Sequence, residues 1–310
     1  MTQPRDHGGG IDAARAEFGG ARSEWLDLST GINPVPYPIP TLEPDAWNTL
    51  PDRAAMDAVT VAAQQFWNVP DGAAILAAPG ASALIARIPY LAELGKVRVE
   101  SCTYNEHEAA FRTAGWSVSD DAPTARVIVS PNNPTGDYWT STDQSQLLIV
   151  DESFCDLSPE QSRIDLAANS GTIILKSFGK FWGLAGLRLG FAVGEPALIA
   201  KLSNALGPWP VSGPALRIGA AALTDYYWAA QTRTRLATDA ARLDTLMLAK
   251  GAMIQGGTNL FRLYRVDDAA AWQSRLAQRY IWSRIFPYST TWLRLGLPAP
   301  DRWDQLESAL

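Results

Sequence analysis

Between about residues 70 and 195 the chain repeats one pattern: a short, mostly continuously apolar run, then a stretch with helical spacing. Ala73–Ala78, Val97–Glu100, Arg126–Ser130, Leu147–Val150, Thr172–Leu175 and Leu187–Val193 read as strands. Ala81–Leu94 and Glu106–Ala114 read as helices. Strands without polar alternation suit a sheet covered on both faces. The alternation with helices predicts an α/β layered sheet, with ligand groups at the strand ends. At 310 residues and 47% hydrophobic content, the chain can bury a large core and form one large and one smaller domain.

The flanks differ. Residues 29–44 are rich in Pro and Gly, a poor setting for regular structure. Pro214–Lys250 reads as a long helical stretch ending at Gly251. Asn259–Arg265 and Thr291–Leu295 read as strands, Ala269–Arg279 as a helix capped by Asp268, and Pro300–Leu310 as another helix. Together they predict a small α+β domain built from both chain ends: residues 1–44 and 206–310 around a large domain of residues 45–205.

Composition removes several function classes. The net charge is −6 with no run of Lys or Arg, which argues against nucleic acid and anionic membranes as partners. No apolar run reaches the roughly 18 residues of a membrane helix, and Met1–His7 has no apolar leader. Cys102 and Cys155 show neither metal spacing nor a framework of bridges, so a reduced cytoplasmic setting and no metal site are expected. The 12 Trp read as core, interface or cleft walls. The 5 Lys against 21 Arg narrow the search for a catalytic amine.

One segment stands out among those five. An apolar strand enters Ser177-Phe178-Gly179-Lys180, small residues follow, and Arg188 opens the next apolar run. Desolvation in a dry, Gly-lined bend disfavours the ammonium form and makes the amine nucleophilic. An Arg eight residues on suits a phosphate. The plain alternative is a surface Lys beside a Gly-rich turn. The pairing resembles the Schiff-base segment of fold-type I pyridoxal phosphate (PLP) enzymes.

Other strand ends carry chemistry with a structural alternative beside each. Gly80-Ala81-Ser82 opens a helix, as a cap or as an anion site. Tyr104 is a core aromatic or a ring to stack on a pyridine. Ser130-Pro131-Asn132-Asn133-Pro134-Thr135-Gly136 is a plain turn or places Asn133 as a donor to a phenolate oxygen, and a plain turn would not need two Asn. Asp151 caps a helix, pairs at the surface, or holds a proton on a pyridine nitrogen. Arg294, in an apolar strand, meets a structural acid or a substrate carboxylate. His107, between Glu106 and Glu108, reads as structural.

In this order the motifs are similar to those of class I/II aminotransferases over most of the chain. The resemblance implies the aspartate aminotransferase-like PLP-dependent transferase fold, a large mostly parallel sheet domain plus a small α+β domain. It implies that Gly80, Ala81, Ser82, Ser177 and Arg188 hold the cofactor phosphate, Tyr104 stacks on the ring, and Asn133 binds the ring oxygen. Asp151 would contact the ring nitrogen, Lys180 would carry the cofactor, and Arg294 would bind the substrate carboxylate.

His7-Gly8-Gly9, Leu28-Ser29-Thr30-Gly31-Ile32-Asn33-Pro34, Gly257-Thr258-Asn259-Leu260-Phe261-Arg262 and Trp292-Leu293-Arg294-Leu295-Gly296-Leu297-Pro298 are similar to the cobalamin-pathway CobC-type, threonine-phosphate decarboxylase branch. That resemblance implies a PLP-dependent lyase acting on L-threonine O-3-phosphate, a homodimer, and substrate contacts from His7, Asn33 and Arg294. The alternative is a histidinol-phosphate-type aminotransferase. Three positions depart from the usual patterns: Leu50 and Phe154 stand where those aminotransferases carry Tyr, and Gly10 where the decarboxylases often have a polar residue.

Overall fold

A computed structural model describes residues 6–141 and 145–310. The stretch Met1–Arg5, read above as lacking an apolar leader, lies outside the described residues. The chain divides into two compact units, residues 37–133 with 138–230, and residues 1–36 with 134–137 and 231–310. The larger unit thus takes in residues 37–44 and 206–230, which the sequence assigned to the small domain.

The larger unit is built on a seven-stranded sheet. Its order is Ala74–Ala78, Gly190–Gly194, Thr172–Ser177, Leu147–Asp151, Ala125–Val129, Lys96–Val99 and Ser117–Val118. Gly190–Gly194 runs antiparallel to both its neighbours, and the remaining pairings are parallel. Ala125–Val129, Leu147–Asp151 and Gly190–Gly194 are buried along their whole length, as suits sequences that are apolar but for Arg126 and Asp151. Leu76, Val97, Val127, Ile149, Ile173 and Leu175 join one hydrophobic cluster with Leu84, Phe111 and Leu202 from the flanking helices.

Two expected helices are shorter than their patterns. The run from Ala81 forms a helix only to Ile85, and Ile88–Tyr90 is a separate 3₁₀ turn. Pro89 has no N–H to donate and disfavours the α conformation in the residue before it. The stretch 214–250 is two helices, Gly213–Thr224 and Tyr226–Ala249. Asp225 breaks it: its φ of −94° and ψ of 73° leave the helical region, and its Oδ1 accepts from Trp228 N at 2.9 Å.

The smaller unit holds a four-stranded antiparallel sheet in the order Arg284–Phe286, Ser289–Gly296, Phe261–Arg265, Met253–Thr258. A two-stranded parallel pair joins Leu26–Asp27 to Ile281–Trp282. Asp268 caps the helix Ala269–Ala277 by accepting from Ala270 N and Ala271 N at 2.9 and 3.0 Å. Among the described residues, no helix is long and apolar enough to cross a membrane.

Candidate active site

Five chain segments end at the same edge of the large sheet, and their turns line a cleft with about 650 Å³ of empty space, part of it open to solvent. Ala81 and Ser82 follow the strand Ala74–Ala78, and Asn133 follows Ala125–Val129. Asp151 ends Leu147–Asp151, Ser177 and Lys180 come at and after the end of Thr172–Ser177, and Tyr104 immediately precedes the helix Asn105–Thr113. Phe154 and Arg188 also line the cleft. Ligand groups outside the carboxyl ends of strands are where an α/β sheet places its chemistry.

Asp151 is 3% exposed, and a buried carboxylate is costly unless it is satisfied. Its Oδ1 accepts from Ser153 N at 2.9 Å and Ser153 Oγ at 2.5 Å, and its Oδ2 accepts from His107 Nε2 at 2.8 Å. Burial pushes this carboxyl up; hydrogen bonding and electrostatic attraction from His107, with the bonds from Ser153, push it down. The second group prevails, and Asp151 titrates below its ordinary range. It is therefore a carboxylate fixed in the ionised form at the floor of the cleft.

The five lysines are separated by their surroundings. Lys176 is fully buried, with Nζ donating to Glu152 Oε2 at 2.5 Å and to Ser162 Oγ at 3.3 Å. Burial lowers its affinity for the proton and the Glu152 carboxylate raises it, and the carboxylate prevails. Lys176 is thus a structural ammonium. Lys180, one turn further on and half-buried, lies within the cleft with Nζ 5.5 Å from the centre of the Phe154 ring. The bend that carries it is backed by stacked aromatics: Phe178 and Trp182 at 5.2 Å, Trp182 and Trp228 at 5.3 Å, both at 12°. The indole N–H groups of Trp67 and Trp182 donate to the two oxygens of Asp156 at 2.8 and 2.9 Å.

At the other wall, backbone and guanidinium approach closely. Gly80 has φ +82°, and a Cβ there would meet Arg188 Nη2 at 2.6 Å. A Cβ on Gly190 would meet Ala81 N at 2.5 Å, so only glycine lets these chains close. Arg188 is exposed, has φ 54°, and donates from Nη1 to Ala185 O at 2.9 Å. Ser177 Oγ accepts from Gly179 N at 3.2 Å. Exposed Ser82 and Arg188, half-buried Ser177 and Ala81 line the same cleft as buried Asp151. An anion with a planar cationic ring fits such a cleft: hydroxyls and a guanidinium for the anion, and an ionised buried carboxylate for the ring.

The structure therefore brings Ala81, Ser82, Tyr104, Asn133, Asp151, Ser177, Lys180 and Arg188 together around one cleft, with Gly80 packed behind Arg188. His7, Asn33 and Arg294 belong to the smaller unit. There Arg294 is buried, donates from Nη2 to Ser29 O at 2.5 Å, and faces the Phe261 ring at 5.1 Å. Burial and the neighbouring Arg284 guanidinium lower it to about 9. Asn33 is buried, and its Oδ1 accepts from Val35 N at 3.0 Å and Arg235 Nη2 at 2.6 Å. His7 is exposed, between Asp6, whose Oδ1 accepts from Arg284 Nη1 at 2.5 Å, and Gly8, where a Cβ would strike Ser29 O.

His107 is the residue whose role the sequence reading missed. It was read only as structural; it is 1% exposed and bonded to Asp151. The available signal was its place one turn into the helix that Tyr104 opens, on the face Tyr104 shares.

The cleft and sheet are those of one class of protein, and comparison with known sequences agrees. The family described as aminotransferase class I and II matches residues 56–309, and the chain belongs to it. Within that family the chain is similar to a threonine-phosphate decarboxylase from Sinorhizobium, 41% identical over 97% of this chain and 95% of the relative. It is also similar to one from Pseudomonas aeruginosa, 36% identical over 98% of this chain and 97% of the relative. In fold it is similar to the histidinol-phosphate aminotransferase from Sinorhizobium meliloti in complex with pyridoxal-5'-phosphate. That likeness has a TM-score of 0.81 at 16% identity and covers 100% of this chain and 94% of the other.

Proposed function

We propose that this chain is a PLP-dependent decarboxylase that converts L-threonine O-3-phosphate to 1-aminopropan-2-yl phosphate and CO₂, a reaction of cobalamin biosynthesis. The observation that carries the choice of reaction is the near full-length likeness to two threonine-phosphate decarboxylases. Pyridoxal phosphate, when bound, supplies an electron sink for the pair left at the α-carbon as the bond to CO₂ breaks.

The residues of the cleft take the following parts in this reading. Lys180 Nζ would hold the cofactor at its aldehyde carbon and, as a free amine, would deliver a proton to the α-carbon. Asp151, ionised and held by His107 and Ser153, keeps a proton on the ring nitrogen. Asn133 donates to the ring oxygen and Tyr104 stacks on the ring. Gly80, Ala81, Ser82, Ser177 and Arg188 hold the cofactor phosphate. Phe154 has no hydroxyl to share the ring oxygen, so that bond falls to the Asn133 amide.

Arg294 takes the substrate carboxylate. A buried guanidinium lowered by a second guanidinium gains from an added anion. His7 and Asn33 are assigned to the rest of the substrate, His7 to its phosphate. The protein works as a cytoplasmic homodimer, a reading supported by the two unbridged cysteines and by exposed Trp47 and Leu50.

The test is to incubate purified protein with threonine phosphate, and separately with 2-oxoglutarate plus an amino donor such as histidinol phosphate. CO₂ release from the first is the expected result. Keto-acid exchange without CO₂ release overturns the decarboxylase in favour of an aminotransferase.

A further inference from the structure

The first asparagine of the Asn132-Asn133 pair lies outside the cleft lining, and its side chain is engaged elsewhere. Asn132 Oδ1 accepts from Thr103 Oγ1 at 2.6 Å, and Asn132 Nδ2 donates to Cys102 O at 3.2 Å. Both bonds reach across 29 or 30 residues to the bend immediately before Tyr104. That bend is unusual: Cys102 has φ 54°, a left-handed conformation that a non-glycine residue adopts only when its surroundings hold it there. One amide thus uses both its donor and its acceptor to fix a strained loop.

What lies on either side of these bonds gives them a purpose. Asn133, next in the chain to Asn132, and Tyr104, next to Thr103, both face the cleft. Three residues after Tyr104 comes His107, bonded to Asp151. The asparagine loop is itself anchored on the Asp151 strand, where Ser130 N donates to Asp151 O at 2.9 Å and Val129 pairs with Asp151. The Asn132 amide adds a direct bridge from that anchored loop to the Tyr104 bend.

We propose that Asn132 is a positioning residue for the cofactor. Its two hydrogen bonds lock the loop carrying Asn133 to the bend carrying Tyr104, so that the ring-oxygen donor and the stacking ring are held at a fixed separation. This rests on Asn133 and Tyr104 meeting the cofactor as proposed above. It explains why this turn has two asparagines: one faces the ligand, and the other sets where that one points. Pre-set groups are the ones that bind without losing freedom at the moment of binding.

The test uses the full-length apoprotein titrated with pyridoxal phosphate. Two quantities are read: the cofactor Kd, and the pH midpoint of the visible absorption band of the reconstituted protein. Asn133→Ala should raise the midpoint, because an oxygen that loses an amide donor becomes more basic. Asn132→Leu removes both bonds of the lock and should weaken cofactor binding about tenfold. It should also move the midpoint in the same direction as Asn133→Ala, and add no further movement in an Asn133→Ala background.

Thr103→Val removes one bond from the opposite side, should give about a threefold loss of affinity, and decides the matter on the same two readouts if Asn132→Leu does not fold. A midpoint moved by Asn133→Ala but by neither Asn132→Leu nor Thr103→Val overturns the lock alone. So does an Asn132 effect that simply adds to that of Asn133→Ala. A midpoint unmoved by Asn133→Ala overturns the assignment of Asn133, and this inference with it. None of these results bears on which amino acid is decarboxylated.

Discussion

Lys176 and Lys180 are four residues apart and meet opposite conditions. The first is neutralised by Glu152 in a closed interior; the second shares a cleft with Asp151. Only the second has space for a reacting carbonyl, so Lys180→Ala should abolish turnover while the protein still retains pyridoxal phosphate on dialysis, without a covalent link by mass spectrometry. Activity near that of the unaltered enzyme would remove Lys180 from the mechanism. Asp151 carries the complementary charge, and Asp151→Asn should lower kcat by about 10²–10³-fold with an unchanged far-UV spectrum, since an amide cannot stabilise a ring proton as a carboxylate does. The pH dependence has a definite sign. Asp151 is lowered from 3.8, so the carboxylate and the stability it confers persist at all pH values above 3.8 and are lost only as pH falls through its still lower folded value. His107→Leu removes the chief lowering influence and leaves burial, so the acid limb of kcat against pH should move upward; an unmoved limb would separate His107 from Asp151 in function. Asp151 was legible because it ends an apolar run, where a carboxylate is costly to bury, and Lys180 because it follows the strand end at Ser177 with Arg188 eight residues on. His107 was not, because its partner is 44 positions away, and its spacing from Tyr104 marks the helix face but not the carboxylate it meets.

The strands that present these groups are tied together just below them. Glu152 and Lys176 directly adjoin Asp151 and Ser177, and their ion pair joins the ends of neighbouring strands. Glu152 further accepts from Ser162 Oγ at 2.6 Å and from Arg163 N at 2.5 Å. Removing one partner of a buried pair leaves an uncompensated charge, so Lys176→Met should cost about 3–5 kcal/mol in urea unfolding. A loss below about 1 kcal/mol would mean that water reaches Glu152, contrary to its burial. Most of the large-sheet strands were readable as largely apolar runs, because burial on both faces removes the need for polar alternation. Met253–Thr258 escaped that reading: its first three residues are exposed, two of its six are Gly, and it is held by pairing with Phe261–Arg265 rather than by its own pattern. The helical runs from Ala81 and Pro214 were readable as helical but not in length. Pro89 and Asp225 act through backbone geometry, which a tally of apolar spacing passes over.

Some apolar side chains satisfy neither the core nor the cleft. Trp47 is 70% exposed, Leu50 64% and Ile39 64%, all within one short Pro-rich stretch and the helix Asp45–Asn48 beside it. Scattered exposed apolar residues are ordinary, but a local group that includes Trp is the composition of an interface centre. Leu50 sharpens the point, since it stands where the related aminotransferases usually have a Tyr that reaches the partner's cofactor phosphate, and a leucine can contribute only area. A homodimer held by apolar burial should therefore form, with a light-scattering mass of two chains at micromolar concentration. Its midpoint of dissociation should be nearly insensitive to salt, because buried apolar area is not screened as ion pairs are. Trp47→Asp should shift the population toward single chains by about tenfold or more in dissociation constant, as expected when a central aromatic anchor is replaced by a charge. A single-chain mass that persists at every concentration with full activity would leave these side chains without a partner copy, and would overturn the dimer.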